Sequence, residues 1–281
     1  MHHRRPRPGH PYLAGAPLLV AHRGGAALAP ENTVEAFSSA LGAWGADMLE
    51  MDVRTTADDR VVVLHDATVD RTTDGAGAVR FMPLARVREL DAGYRFVDPR
   101  GEHPFRGRGV RIPLLDDVLA AFPDARLNVE VKAREAAVPT VELVRRHAAT
   151  HRVLIAAEHE RNRRGVRYEG PWGASRRQLG PFWLLHRTPL SFLVTPRVDV
   201  FQVPLRWRGM PVVTRRFVQE AHRRNIPVHV WTVDDPDDMR ALLDLGVDGI
   251  QSDRPDILAR VLTEETGRPP APAHRGSGEG T

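Results

Sequence analysis

A chain of 281 residues without cysteine has no disulfide, no thiolate metal site and no cysteine nucleophile, and its length suits one barrel or two smaller domains. The formal charge of +4 comes from arginine spread along the chain and clustered at 2–7, 161–167 and 215–224. No zinc-finger spacing, zipper or glycine-flanked aromatic pair accompanies those clusters, which argues against nucleic-acid binding as the main function.

Residues 1–17 are basic, with few apolar positions, and are broken by Gly15 and Pro17. They read as an N-terminal extension, too interrupted for the apolar region of a secretory signal. No later stretch approaches the ~20 apolar residues of a membrane span, so a cytoplasmic protein without an integral membrane segment is expected.

The run 18–22 is strand-like and leads into Arg23, Gly24 and Gly25, then Pro30, Glu31 and Asn32. Asn32 or Thr33 is placed to cap a helix in which Val34, Phe37, Ala40 and Leu41 recur at helical spacing, with Gly45 ending it. The next strand spans 48–53, and 60–65 is a further extended segment. The stretch 67–111, rich in Gly, Asp and Arg, is long for a plain loop and reads as a small excursion on one rim of the main domain.

Periodicity resumes with a helix over 114–122, a strand over 126–131, a helix over 136–148 and a strand over 153–157. The pattern in 158–192 predicts helix, turn, helix. Strands over 198–203, 228–233 and 248–251 alternate with helices over 215–224 and 235–245. Such alternation predicts parallel strands joined by crossover helices. Seven or eight units suit a closed (β/α)₈ barrel over 18–262 better than an open doubly wound sheet. The Pro- and Gly-rich tail, 263–281, is expected to be disordered.

Residues two apart on a strand share a face. Met48, Glu50 and Asp52 therefore point one way, as do Asn128, Glu130 and Lys132, and as do Val20 and His22. Each charged group stands at the end of an apolar strand, where a barrel carries its active site. Unpaired charge there is expensive to desolvate, so the converging carboxylates Glu50, Asp52 and Glu130 call for a divalent cation. Oxygen-only ligation suits magnesium or calcium better than zinc.

Of 40 basic residues only Lys132 is lysine. A chain so biased toward arginine keeps a lysine where a compact ammonium does something that guanidinium would not. Gly24 and Gly25 permit positive φ and close backbone approach, a geometry suited to wrapping an anion, and Arg23 supplies a bidentate donor. His22 and His65, beside a metal and basic groups, suggest a general base and a general acid on opposite sides of a phosphorus.

The motifs HRGG (22–25), PENT (30–33), GADMLEMDV (45–53), HD (65–66) and DRTTDGAG (70–77), with Phe37, resemble the glycerophosphodiester phosphodiesterase family. PLLDDVL (113–119), NVEVK (128–132), VHVWTV (228–233) and GVDGIQSDRP (246–255) extend the resemblance over 18–262. It implies a (β/α)₈ barrel with a small insertion after the second strand, which 67–111 would supply. It also implies metal ligation by Glu50, Asp52 and Glu130, with manganese a third candidate, and acid/base roles for His22 and His65. Arg23 and Lys132 would hold the phosphate, Trp231 would wall the glycerol, and Gln202 would reach the same pocket. The substrates implied are glycerophosphodiesters such as glycerophosphocholine, cleaved to sn-glycerol 3-phosphate and an alcohol.

The chain departs from the family where Ala156 and Ala157 replace a frequent Ser-Phe, enlarging that side of the pocket, and more mildly at Gln251 and Ser252. A rival reading is a lysophospholipase D or sphingomyelinase-D-like enzyme acting on larger phospholipids. That reading needs an apolar lip or a membrane-facing patch. A barrel that binds phosphodiesters without cleaving them is disfavoured by the retention of every ligand and both histidines.

Overall fold

The computed structural model describes residues 9–275. Strand β1 (Leu18–Ala21) is followed by helix α1 (Val34–Gly42), strand β2 (Met48–Thr55) and the short strand β3 (Val61–Val63). Next come α2 (Leu84–Val87), α3 (Leu115–Ala121), β4 (Arg126–Val131), α4 (Ala137–Arg146), β5 (Val153–Ala156) and α5 (Arg176–Leu185). Strand β6 (Phe201–Pro204) runs into a hairpin of β7 (Arg206–Trp207) and β8 (Met210–Pro211). The chain continues through α6 (Arg215–His222), β9 (Val228–Trp231), α7 (Pro236–Leu245), β10 (Gly249–Ser252), α8 (Pro255–Thr266) and α9 (Pro272–Arg275).

The parallel strands lie in the order β5-β4-β2-β1-β10-β9-β6, and β3 pairs antiparallel with the end of β2. Residues 171–174 span the gap between β5 and β6. Ile155 bridges to Trp172 and Gly173 to Val200, both in parallel sense. The Ile155 N–H donates to the Pro171 carbonyl and the Ala174 N–H to the Val200 carbonyl, each at 3.1 Å. This segment occupies the eighth position of the ring and brings the sheet to near closure. It corrects the helix, turn, helix expected over 158–192. That stretch holds a 3₁₀ turn (Glu160–Asn162), the bridging segment and α5, and a strand that pairs through so few residues leaves no alternation to read.

Helix starts follow local chemistry. The Thr33 hydroxyl, not Asn32, caps α1, accepting the Ala36 N–H at 3.2 Å. Asp235 caps α7, which ends on Gly246 at φ 83.

The barrel interior is a cluster of Leu18, Val20, Met48, Leu154, Ala156 and Val200, completed by Tyr12 and Leu13 from the N-terminal segment. The Tyr12 hydroxyl donates to the Leu127 carbonyl at 2.8 Å, and the Arg126 guanidinium donates to the Tyr12 carbonyl at 3.0 Å. The segment 9–17 thus packs against the strand starts, opposite the charged strand ends. Larger apolar clusters fill the space between strands and helices. The stretch 67–111 has its own small core, with Val69, Val79, Val87 and Leu90 packed on Val62 and Leu64.

Disorder from 263 onward is corrected over the described part of the tail. Helix α8 continues to Thr266, the Arg268 guanidinium donates to Asp47 Oδ1 at 3.0 Å and to the Gly45 carbonyl at 2.8 Å, and Ala271 is buried. Residues 1–8 and 276–281, the rest of the two terminal segments, lie outside the described residues. Among the described residues no helix is long and apolar enough to cross a membrane.

Candidate active site

The three carboxylates arrive from neighbouring strands. Glu50 pairs across the sheet with Asn128, and Asp52 with Glu130, so strand alternation aims all of these side chains into the barrel mouth. Carboxylate oxygens of Glu50, Asp52 and Glu130 lie within 4.8 Å of one another. Glu50 is 3 % and Asp52 1 % exposed.

Fixed cations hold part of this negative charge. Lys132 Nζ donates to Glu130 Oε2 at 2.8 Å and stands 3.0 Å from Asp52 Oδ1. Arg23 Nε faces Asp52 Oδ2 at 3.3 Å without hydrogen-bond geometry, and it is a buried donor with no partner. The Asn32 side chain brackets Asp52: its Nδ2 donates to Oδ2 at 3.0 Å, and its Oδ1 accepts the Asp52 N–H at 3.2 Å.

Burial would raise Asp52, but Lys132 and then Arg23 outweigh it and hold this carboxyl below its usual range. Glu50 goes the other way: burial first, and the Asp52 charge second, push it up to about 7. Burial would weaken the Lys132 ammonium, but Asp52 and Glu130 more than offset that and raise it. Three carboxylates thus face two permanent cations, and the surplus charge falls on Glu50. An oxygen-only donor set with that surplus fits a hard divalent cation.

The two histidines are each oriented by an aspartate. His22 Nδ1 lies 2.7 Å from Asp253 Oδ1, and its Nε2 lies 3.9 Å from Glu50 Oε2. Burial lowers the His22 pKa, but Glu50 and then Asp253 prevail and raise it. His65 Nδ1 lies 2.7 Å from Asp66 Oδ1. Asp66 accepts from Arg71 Nε at 2.5 Å, and the Arg71 guanidinium grips Glu31 with bonds of 2.6 and 2.8 Å. Glu31 also accepts from Arg23 at 3.0 Å. A continuous polar chain therefore ties the His65 loop to Arg23 and so to Asp52.

The glycine pair after β1 has a packing role. Arg23, Gly24 and Gly25 all have positive φ (50, 85 and 93°). A Cβ on Gly24 would lie 2.7 Å from the Ala36 Cβ, and one on Gly25 would lie 2.8 Å from Pro255. The glycines let the turn press onto α1 and α8. The Arg23 N–H is taken by Glu50 Oε2 at 2.8 Å, which helps to fix that carboxylate.

His22, Arg23, Glu50, His65, Glu130, Lys132, Gln202 and Trp231 line one cleft of about 650 Å³. Asp52 lies buried against Lys132 and Arg23. Every candidate residue is therefore brought to one mouth. Asp253, Asn32 and the Glu31–Arg71 pair were not among the candidates. Each sits inside a recognised motif, but its partner is remote in the chain.

A model of the glycerophosphoryl diester phosphodiesterase family matches residues 22–257. The chain is 37 % identical over 257 residues to a probable glycerophosphodiester phosphodiesterase 2 of Mycobacterium tuberculosis, covering 88 % of this chain and 91 % of that one. It is 32 % identical over 255 residues to a glycerophosphodiester phosphodiesterase of Caldanaerobacter subterraneus, covering 87 % and 97 %. Among solved structures, a glycerophosphodiester phosphodiesterase from Agrobacterium tumefaciens superposes with a TM-score of 0.68 at 27 % identity, covering 86 % of this chain and 99 % of that one. A phosphodiesterase from Oleispira antarctica, solved with sn-glycerol 3-phosphate, shares the fold at 22 % identity, with a TM-score of 0.70 and coverage of 88 % and 97 %.

Proposed function

The chain belongs to the glycerophosphoryl diester phosphodiesterase family, and from that premise we propose that it hydrolyses glycerophosphodiesters to sn-glycerol 3-phosphate and an alcohol. The observation that carries this reading is the set of carboxylate oxygens from Glu50, Asp52 and Glu130, gathered within 4.8 Å in a cleft that His22 and His65 also line.

Glu50, Asp52 and Glu130 are the residues that would hold a divalent cation, magnesium or calcium in preference, with manganese as a third choice. A cation held there would supply Lewis acidity, polarising the phosphate and making a neighbouring hydroxyl more acidic. The unpartnered Arg23 Nε and the Lys132 ammonium offset charge on the equatorial oxygens of the reacting phosphate. Each imidazole commits Nδ1 to an aspartate, so Nε2 is the nitrogen that exchanges a proton with the substrate. One histidine takes the proton of the attacking hydroxyl or water, and the other gives one to the departing alcohol. Trp231 and Gln202 border the glycerol on the far side of the mouth. The cytoplasm is the compartment proposed.

The test is release of sn-glycerol 3-phosphate from a panel of glycerophosphodiesters, before and after chelation and after adding back each metal. Metal-dependent release supports the reading. Full activity after thorough metal removal would reject it.

A further inference from the structure

Positive charge and exposed apolar surface coincide in one stretch of the chain. Between 176 and 216 there are eight arginines, all exposed, and a single carboxylate, Asp199. That surplus of seven exceeds the formal charge of +4 on the whole chain, so the remainder is net negative. Of the nine large apolar side chains that are well exposed among the described residues, six fall in the same stretch.

Three of the six stand on one 3₁₀ turn, Pro189–Leu193, between α5 and β6. Phe192 and Leu193 are each 64 % exposed and Leu190 50 %, and all three lie outside the catalytic cleft. The turn is nevertheless held firmly. The Arg224 guanidinium donates to the Ser191 carbonyl at 2.6 Å and to the Val194 carbonyl at 3.1 Å, and Arg216 Nε donates to the His186 carbonyl at the end of α5 at 3.1 Å. Single exposed apolar side chains are ordinary, whereas several presented together on a pinned backbone mark an interaction surface.

The charge decides what fits that surface. A second copy would bring the same arginine surplus to the interface, and like charges brought face to face oppose association. A nucleic acid suits the arginines but offers its bases to aromatic platforms, leaving Leu190 and Leu193 without a partner. An anionic bilayer satisfies both features: arginines settle among lipid phosphates while leucine and phenylalanine tips enter the acyl boundary, with no matching shape required.

We infer that this face docks the protein peripherally on anionic membrane surfaces, with Leu190, Phe192 and Leu193 inserted at the headgroup boundary. Arg187 and Arg197, which flank the turn in sequence, contact the lipid phosphates. The docking is independent of the phosphodiesterase reading, because the turn contributes nothing to the cleft.

The experiment sediments the full chain with vesicles of phosphatidylcholine, with and without phosphatidylglycerol. Binding to the anionic vesicles should be at least ~10-fold tighter than to the neutral ones and should weaken as salt rises. The double variant Phe192→Ser with Leu193→Ser should bind the anionic vesicles at least ~10-fold more weakly. Arg187→Glu with Arg197→Glu should do the same through charge. Both variants should keep the parent's melting temperature and its rate on soluble glycerophosphocholine, so that a loss of vesicle binding is not a loss of fold. Equal binding to both kinds of vesicle, no binding to either, or variants that bind like the parent would overturn the inference. So would a dimer in ultracentrifugation that the serine variant abolishes, or tighter binding to duplex DNA than to the anionic vesicles. None of these outcomes bears on the phosphodiesterase reading, which the release assay tests separately.

Discussion

His22 Nδ1 and Asp253 Oδ1 are 2.7 Å apart although 231 positions separate them in the chain. The contact joins the end of the first barrel strand to the end of the last, and it leaves Nε2 as the nitrogen proposed above to exchange the proton. Partners of this kind fix both the tautomer and the orientation of the ring they hold. Asp253→Asn should therefore lower kcat by ~10- to 100-fold, and His22→Ala by ~100-fold or more. The double variant should be no slower than His22→Ala, because the aspartate acts through the histidine. Additive losses would show that Asp253 acts on its own.

His65 lies on the β3 side of the mouth, and Glu31, Arg71 and Asp66 brace it. His65→Ala should reduce turnover by ~100-fold or more with circular dichroism and melting temperature unchanged. Near-full activity would remove His65 from the chemistry.

The turn after β1 predicts a packing effect. Alanine at Gly24 would demand φ 85 of a residue with a Cβ and would set that Cβ 2.7 Å from Ala36. Gly24→Ala should destabilise the fold by ~1–3 kcal/mol, measured by urea denaturation. An unchanged midpoint would show that the turn adapts freely.

His229 gives the fold a pH dependence of its own. It is buried inside β9 with neither ring nitrogen bonded, and burial drives its pKa down to about 4 from 6.5. Between these values the unfolded chain binds the proton and the folded chain does not. Stability from this residue is full above pH 6.5 and falls as the pH drops toward 4, by up to ~3 kcal/mol. His229→Asn should show a shallower loss of melting temperature between pH 7 and 4.5. Parallel curves for variant and parent would contradict this.

How much of this was legible depends on how far each contact reaches along the chain. Glu50, Asp52, Glu130 and Lys132 could be placed together because strand alternation and strand ends are local signals. The spatial partners were not legible: Asp253 holds His22, Arg71 reaches back to Glu31, and Asn32, which reads as a helix cap, instead brackets Asp52. The bridging segment 171–174 escaped because two bridges carry no periodicity. The tail beyond 263 reads as disordered from its Pro and Gly, yet Arg268 anchors it to Asp47. Such pairings exist only once the ring has formed.

The central claim is that Glu50, Asp52 and Glu130 together hold one catalytic cation. Titration calorimetry of the metal-stripped chain with magnesium, calcium and manganese in turn tests it most directly, beside Glu50→Gln, Asp52→Asn and Glu130→Gln. One equivalent should bind the parent chain with at least one of these metals, and each variant should bind it at least ~10-fold more weakly. Undiminished binding in any of the three, or no binding to the parent chain, would contradict the account.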